Sequence, residues 1–319
     1  MASPCRSADE VVDALRRADI RPRIEAVLTR CVAGEVVVPP RTAVGRRDDG
    51  AVTHVMTVRD DAERLVLTKV VDYDPKRPRR DGRAASAGVL ALLRDGDPVL
   101  LTSADTFTGV RTGKVAALGV DLLASPGALD VALVGPGLVG EETLRALADL
   151  RVLTRVRVVG RDVDRAAAAA RRIGDHLEVE VRAVDTVREA CRGATVLVTA
   201  TGTVEPIVDN ADLAPSVEMV AALGAGIAQR RELSSAVVAG CGTVVVDTVD
   251  GDDEEAGDLV QARADGVAPD AHSLFDVLRG DVEFRGRRLY KSVGSSWQDL
   301  ACVLAALDVL GPGAKTASW

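Results

Sequence analysis

The chain has 319 residues, of which 47% are hydrophobic but only 2% are aromatic, so its core must be built from Ala, Val and Leu. This length suggests about two domains. The net charge of −8 argues against a nucleic-acid-binding protein, whose surface would be basic, and the short basic run 76–80 is typical of a solvated loop.

The N-terminal third is predicted to mix helices with antiparallel strands. A broken apolar pattern over about the first 35 residues indicates helix, and Pro39-Pro40 ends it. Two β-rich runs follow, at 51–56 and 65–71, and the loop 72–83 is rich in Pro, Arg and Asp. Asp95-Gly96 predicts a hairpin between the apolar runs on either side of it, and residues 110–124 are predicted to be helical.

From Ala128 onward, strands alternate with helical stretches, which predicts βαβ units and a parallel sheet. The predicted helices span 141–150 and 164–172, and the predicted strands span 131–134, 156–159, 179–181, 195–199, 219–223 and 243–247. The segment 298–310 is predicted to be an amphipathic helix with Leu300, Val303, Leu304 and Leu307 on one side.

The glycine-rich run Gly135-Pro136-Gly137-Leu138-Val139-Gly140 follows a buried strand and opens a helix, as a dinucleotide site requires. Gly135 permits the tight turn, Gly137 lets a pyrophosphate approach the backbone, and Gly140 lets the helix pack on the strand. Leu138 and Val139 lie at the helix start, where free N–H groups attract an anion. A turn without a ligand is the alternative.

The end of the next strand bears on the choice between NADP and NAD. An enzyme that uses NAD carries a carboxylate there for the ribose 2′-hydroxyl, about 20 residues after the glycines. This chain has Gly160 and Arg161, which suit a 2′-phosphate, and Asp162 follows one residue later. We therefore expect NADP as the cofactor, with NAD as the alternative.

Seven separated segments, in order along nearly the whole chain, resemble the ornithine cyclodeaminase/mu-crystallin family. Each is weakly specific alone, and together they indicate the family better than the reaction. They are 38–41, 68–71, 108–113, the glycine run, 199–201, 223–225 with Glu232-Leu233, and 290–294.

This resemblance implies an α/β protein of two domains that forms a homodimer. A mixed α+β substrate-binding and dimerisation domain would span 1–120 and be completed by the C-terminal helix region 295–319. A Rossmann dinucleotide-binding domain would span 121–294. The resemblance also implies cofactor contacts by Thr112, Thr201, Leu223 and Ser292.

Carried over by position, Arg41, Lys69 and Arg111 are the substrate-binding residues that the family implies. Members act on small amino acids or cyclic imines, and arginines bind a carboxylate in fork geometry. Lys69 would hold charge or act as an acid. The alternatives are a solvated loop arginine for Arg41 and an edge-strand lysine for Lys69.

Three positions depart from the family pattern. Cyclodeaminases carry an aspartate where this chain has Gly226, so no carboxylate is expected in the loop 223–228. They also carry a glutamate where this chain has His54, which becomes a second candidate catalytic residue because histidine titrates near neutral pH. The alternative is a partly exposed histidine on a strand, without a catalytic role. Many members have glutamine in place of Val139.

These observations predict an NAD(P)H-dependent reductase or dehydrogenase acting on a small imino or amino acid, with Lys69 and His54 as catalytic candidates. The alternatives are a cyclodeaminase-type lyase with bound NAD and a non-catalytic nucleotide-binding protein. The five scattered cysteines lack a CxxC pair, so we expect no metal site or disulfide framework. With no apolar leader and no apolar run of about 20 residues, we expect a cytoplasmic protein without membrane contact.

Overall fold

The computed structural model describes residues 5–46, 51–74, 76–77, 80, 85–224, 226–248, 254–267 and 269–311. The chain divides into two compact units, one of Met1–Arg111 with Ser295–Trp319 and the other of Thr112–Gly294. The architecture is α/β, which confirms the predicted fold class. No helix among these residues is long and apolar enough to span a bilayer.

The first unit is built on an antiparallel sheet in the order β1-β3-β4-β5-β6, with β2 paired to β3. Its strands are β1 (Val36–Val37), β2 (Thr42–Arg46), β3 (Val52–Asp60), β4 (Leu65–Tyr73), β5 (Ser86–Arg94) and β6 (Asp97–Ser103). The predicted hairpin is confirmed, because β5 and β6 pair across Asp95 and Gly96, whose φ values are 54° and 87°.

Helices α1 (Ala8–Arg17) and α2 (Arg21–Val32) precede this sheet. Ser7 and Glu10 form a reciprocal capping box that starts α1. The chain also contributes α3 (Asp105–Leu123), in which the boundary between the units falls, and α10 (Ser296–Leu310), which returns to α1, α2, β3 and β4.

Two helix predictions need correction. Helix α3 starts at Asp105, five residues earlier than predicted, so Arg111 lies inside the helix instead of opening it. Helix α10 is not amphipathic, because residues 296–306 are all buried between the helices and strands that surround them.

The basic run 76–80 also differs from a solvated loop. Arg77 is buried, donates to the backbone carbonyls of Asp72 and Ala85 and pairs with the Asp72 carboxylate. Arg80 pairs with Asp74. Pro78 and Arg79 lie outside the described residues.

The second unit contains an eight-stranded parallel sheet in the order β13-β12-β14-β11-β10-β7-β8-β9. Its strands are β7 (Leu129–Val134), β8 (Leu153–Val159), β9 (Val181–Ala183), β10 (Val196–Thr199), β11 (Met219–Ala222), β12 (Cys241–Val246), β13 (Ala271–Ser273) and β14 (Arg287–Lys291). Its helices are α4 (Leu138–Leu150), α5 (Val163–Leu177), α6 (Val187–Cys191), α7 (Ser235–Ala239), α8 (Gly257–Ala264) and α9 (Leu274–Arg279).

The predicted parallel sheet is confirmed, but one of its strands was placed too early. Helix α5 continues to Leu177 and ends at Glu178, whose φ of 51° is left-handed, so β9 starts at Val181 and not at 179. The core of the sheet consists of small and branched side chains, as the composition requires, including Ala132, Val134, Leu197, Val220, Ala222, Val244 and Leu289.

Candidate functional site

The first unit holds a buried cluster of two cations around one carboxylate. Lys69 on β4 and Arg111 on α3 are 1% and 3% exposed. Asp299 on α10 is fully buried, and its Oδ2 lies 2.6 Å from Lys69 Nζ while its Oδ1 lies 2.8 Å from Arg111 Nε. One carboxylate therefore positions both cations and leaves the cluster net positive.

Gln298, next to Asp299, fixes Arg111 at a second point. Its Oε1 accepts from Arg111 NH1 at 2.7 Å and from the backbone of Ser295 as part of the capping box that starts α10. Sequence reasoning missed both Gln298 and Asp299. The signal that could have found Asp299 is its place directly before the apolar run 300–307, because a charge buried together with such a run must be paired.

The surroundings of Lys69 in this cluster lower its pKa. Burial lowers the pKa of Lys69 to about 8, the Asp299 carboxylate opposes this shift, and the charges of Arg111 and Arg41 reinforce it. Arg41, directly before β2, is half-buried and close enough for its charge to act on Lys69. Lys69 is therefore a cation below about pH 8 and exchanges its proton near neutral pH.

His54 lies on the same face of the sheet as Lys69. On β3 it pairs with Val71, while Met56, two residues on, pairs with Lys69. Partners in an antiparallel register point to the same side, so the half-buried His54 side chain is one diagonal step from Lys69.

In the second unit, the glycine turn joins β7 to α4, and its geometry fits a pyrophosphate. Gly135 has φ of +93°, and a Cβ there would lie 2.6 Å from the Ala200 carbonyl oxygen. A Cβ on Gly140 would lie 2.7 Å from the Gly135 carbonyl oxygen, whereas one on Gly137 would meet nothing within 4 Å. Gly135 thus makes the tight turn, Gly140 makes the close contact between helix and strand, and Gly137 leaves the backbone open to a ligand.

The start of α4 adds the electrostatic part of this fit. Gly137 is the N-cap and supplies no side-chain hydrogen bond, so the first backbone amides of the helix are offered to an anion. Leu138 is exposed at this end and Val139 is half-buried. These residues can therefore hold the pyrophosphate of a dinucleotide.

The other residues predicted to bind cofactor vary in exposure. The hydroxyl of Thr201 donates to Glu232 at 2.7 Å and that of Ser292 donates to Asp247 at 2.6 Å. Leu223 is buried after β11, and Thr112 is half-buried on α3. Both hydroxyls thus hold their loops in place, and their oxygens keep the capacity to accept a further hydrogen bond.

Residues 160–162 follow β8 directly. A Cβ on Gly160 would lie 3.2 Å from the Ala166 Cβ, so a larger side chain is crowded there. Asp162 caps α5 by accepting from the Arg165 backbone amide at 3.0 Å. Arg161 is the exposed side chain between them.

The loop 223–228 has no carboxylate of its own, as its sequence predicts, but a carboxylate from outside it reaches its start. Glu232 is fully buried, and it accepts from the Gly224 amide at 2.7 Å. Gly226 is half-buried, and a Cβ on it would have the Val293 carbonyl oxygen as its nearest neighbour, at 3.6 Å. Ala225 lies outside the described residues.

Comparison with known families decides the affiliation that these two sites suggest. The model of the ornithine cyclodeaminase/mu-crystallin family matches residues 3–309. The chain belongs to this family. The resemblance inferred from short motifs is thereby confirmed over nearly the whole sequence.

Two relatives agree with this affiliation, and a solved structure shares the fold. The Delta(1)-pyrroline-2-carboxylate/Delta(1)-piperideine-2-carboxylate reductase of Azospirillum brasilense is 31% identical over 91% of both chains. The ketimine reductase mu-crystallin of Mus musculus is 26% identical over 96% of this chain and 97% of its own. The Delta(1)-pyrroline-2-carboxylate reductase of Thermococcus litoralis, solved with NADH and L-proline, shares the fold with a TM-score of 0.86, at 22% identity over 97% of both chains.

Proposed function

We propose that this family member is an NAD(P)H-dependent oxidoreductase that reduces the C=N bond of a small cyclic imino acid. The observation that carries the proposal is the buried Lys69–Asp299–Arg111 cluster, whose net positive charge suits a substrate carboxylate. The family match and the reductase at 31% identity over 91% of the chain support it. Delta(1)-pyrroline-2-carboxylate and Delta(1)-piperideine-2-carboxylate, which name that relative, are the substrates to test.

In this proposal, Arg111 and Arg41 bind the substrate carboxylate, and the Lys69 ammonium adds a third positive group. An ammonium has three N–H donors, and the contact with Asp299 uses one of them, so Lys69 can bind the substrate as well. A bound nicotinamide nucleotide supplies the hydride. Protonated Lys69 either holds the substrate charge or donates a proton to the imine nitrogen, and His54 is the alternative donor.

The test is to follow oxidation of NADPH and NADH with each of the two cyclic imines. We expect steady turnover that depends on both substrates and that falls sharply in the Lys69→Met variant. No cofactor oxidation with these imines, or with a broad panel of keto acids and amines, would refute the proposal.

The same enzyme preparation separates reduction from cyclodeamination. A cyclodeaminase releases ammonia from ornithine without net formation of reduced cofactor. We expect no such release, because Gly226 stands where cyclodeaminases carry an aspartate, and Glu232, which accepts from the Gly224 amide, is fully buried.

We further propose that NADPH is preferred to NADH. The Asp162 carboxylate is engaged as the cap of α5, while Arg161 is exposed directly after β8 and can pair with a 2′-phosphate. Comparison of the two KM values tests this. A lower KM for NADH than for NADPH would contradict it.

We propose that the first unit is the substrate-binding and dimerisation domain and that the second is the dinucleotide-binding domain.

Two copies of the chain would associate through the β-sheet of the first unit. Val55, Val70 and Val89 form one row across three strands on the face opposite Lys69, and the side chains of Val44 and Val89 on that face are exposed. An apolar row of this kind is typical of an interface. The mass in solution, measured by light scattering, tests for a dimer, and a monomer at micromolar concentration contradicts it.

A further inference from the structure

The Glu232 carboxylate lies between the carboxyl ends of β10 and β11 and accepts four hydrogen bonds. Its Oε2 accepts from Thr199 Oγ1 at 2.9 Å and from the Gly224 amide at 2.7 Å. Its Oε1 accepts from the Thr201 amide at 2.6 Å and from Thr201 Oγ1 at 2.7 Å. Each oxygen therefore receives one backbone amide and one hydroxyl.

The backbone of Glu232 is itself held by a second buried carboxylate. Asp258 Oδ1 accepts from the Glu232 and Leu233 amides at 2.7 and 2.8 Å, and its Oδ2 lies 2.8 Å from Lys291 Nζ at the end of β14. Glu232, Asp258 and Lys291 are all fully buried. A chain of charged contacts thus links the ends of three neighbouring strands of the sheet, β10, β11 and β14.

Burying the charges of Glu232, Asp258 and Lys291 together costs free energy. Burial raises the pKa of Glu232, the Lys291 charge opposes that rise, and the Asp258 charge reinforces it. A charged side chain in a dry interior is tolerated only when it is paired and fully hydrogen-bonded. The carboxylate is tolerated here because its two oxygens satisfy two backbone amides and two hydroxyls, which an apolar side chain would leave without acceptors.

The segments that Glu232 holds lead directly to the glycine turn. A Cβ on Gly224 would overlap the Thr201 backbone, so the two loops are in direct contact. A Cβ on Gly135 would in turn lie 2.6 Å from both the Ala200 carbonyl oxygen and Thr201 Cγ2. In open parallel sheets, dinucleotides bind at this carboxyl edge of the strands.

We infer that Glu232 is a positioning residue for the dinucleotide, holding the Thr199–Thr201 and Gly224 segments in the shape that binds it. The inference rests on the proposed function, because it takes the glycine turn to be the cofactor site. Glu232 is fully buried and acts through the two loops, not through contact with substrate or cofactor.

The Glu232→Gln variant tests this with almost no change in shape. An amide presents one oxygen and one NH₂, so whichever way it lies, either the Thr201 or the Gly224 backbone amide faces a donor. A threonine hydroxyl can rotate to accept, but a backbone N–H cannot. We expect the Kd for NADPH, measured by fluorescence titration of the full chain, to rise about 10- to 100-fold. The KM for the cofactor should rise with it, while the KM for the imino acid stays near that of the wild type.

Glu218→Gln is the matched control. Glu218 directly precedes β11, at the end of that strand away from Gly224. It accepts one backbone amide and one hydroxyl, both from Ser125 at 2.8 and 2.6 Å, and it lies 3.3 Å from Arg288. This variant should lower the unfolding temperature and leave the Kd for NADPH unchanged. Thr199→Val, which removes one hydroxyl bond to Glu232, provides a milder variant if Glu232→Gln does not fold, and its Kd should rise about threefold.

The outcomes are distinct. If Glu232→Gln, or Thr199→Val in its place, binds NADPH like the wild type while losing stability as Glu218→Gln does, Glu232 is purely structural and the inference is overturned. If the wild type binds neither NADPH nor NADH, the proposed function fails and this inference fails with it. A weakened nucleotide affinity confined to the Glu232 and Thr199 variants supports it.

Discussion

Replacing Asp299 by asparagine should show whether its carboxylate controls the charge of Lys69. The amide keeps the size of the side chain but removes the only negative charge that the structure pairs with both Lys69 and Arg111 among the described residues. Lys69 then faces the charges of Arg111 and Arg41 without the group that opposes them. Its ammonium form must become less stable.

The structure gives the size of this effect. Lys69 has a pKa of about 8, so roughly nine-tenths of it is protonated at pH 7. Removing one partner of a buried pair costs about 3–5 kcal/mol, and one pKa unit corresponds to about 1.4 kcal/mol. Even if most of this cost is absorbed by relaxation, the pKa of Lys69 should fall by about one unit or more, which leaves half or less of it protonated at pH 7.

The assay is the pH dependence of kcat/KM for the cyclic imine, which reports the titration of the free enzyme. Both roles proposed for Lys69, holding the carboxylate and donating a proton, need its charged form. In the wild type, kcat/KM should therefore fall as pH rises through about 8. In Asp299→Asn this fall should begin at least about one pH unit lower.

A control variant lies on the same helix. Asp308 pairs with Arg23 at 2.6 Å on the surface, so Asp308→Asn makes the same chemical change without touching Lys69. It should cost at most about 1 kcal/mol and leave the pH profile unchanged. If Asp299→Asn folds and keeps the wild-type fall near pH 8, the Lys69–Asp299 pair does not set the charge state that matters for activity.

Three further substitutions probe the remaining site residues. Gly137→Val should raise the Kd for NADPH at least about tenfold while the unfolding temperature stays near that of the wild type, because a Cβ there meets no protein atom within 4 Å but enters the path of the pyrophosphate. Arg161→Ala should raise the KM for NADPH by about tenfold and leave that for NADH unchanged, since only the former carries a 2′-phosphate. An equal effect on both would contradict that role. Gly226→Asp should fold with a loss of less than about 1 kcal/mol in thermal unfolding, because the nearest neighbour of its Cβ is 3.6 Å away. Ammonia release from ornithine by this variant would show that the aspartate alone restores cyclodeamination.

Local features of the fold could be predicted from the sequence because their signals are local. Asp95-Gly96 fixed the hairpin, since both residues adopt the positive φ that this turn requires. The glycine turn was equally clear, because a buried strand before it and a helix after it lie within a few residues.

Long-range pairing could not be predicted in the same way. Strand β14 inserts between β11 and β12, and nothing near Arg287–Lys291 specifies which strands it joins. Its first residues, Arg287 and Arg288, are also polar, which hides a strand from a hydropathy pattern. Helix α10 was misjudged for a related reason, because its second apolar side is covered only when the chain returns to the first unit.

The two carboxylates that matter most, Asp299 and Glu232, belong to this second group, and one rule accounts for both. Both are fully buried, and a buried carboxylate must be satisfied by partners from elsewhere in the chain, either cations or a set of N–H and O–H donors. Asp299 uses the first solution, with Lys69 and Arg111, and Glu232 uses the second, with Thr201 and its neighbours. The first solution controls charge and so predicts a change in pH dependence when it is broken. The second controls backbone shape and so predicts a change in nucleotide affinity.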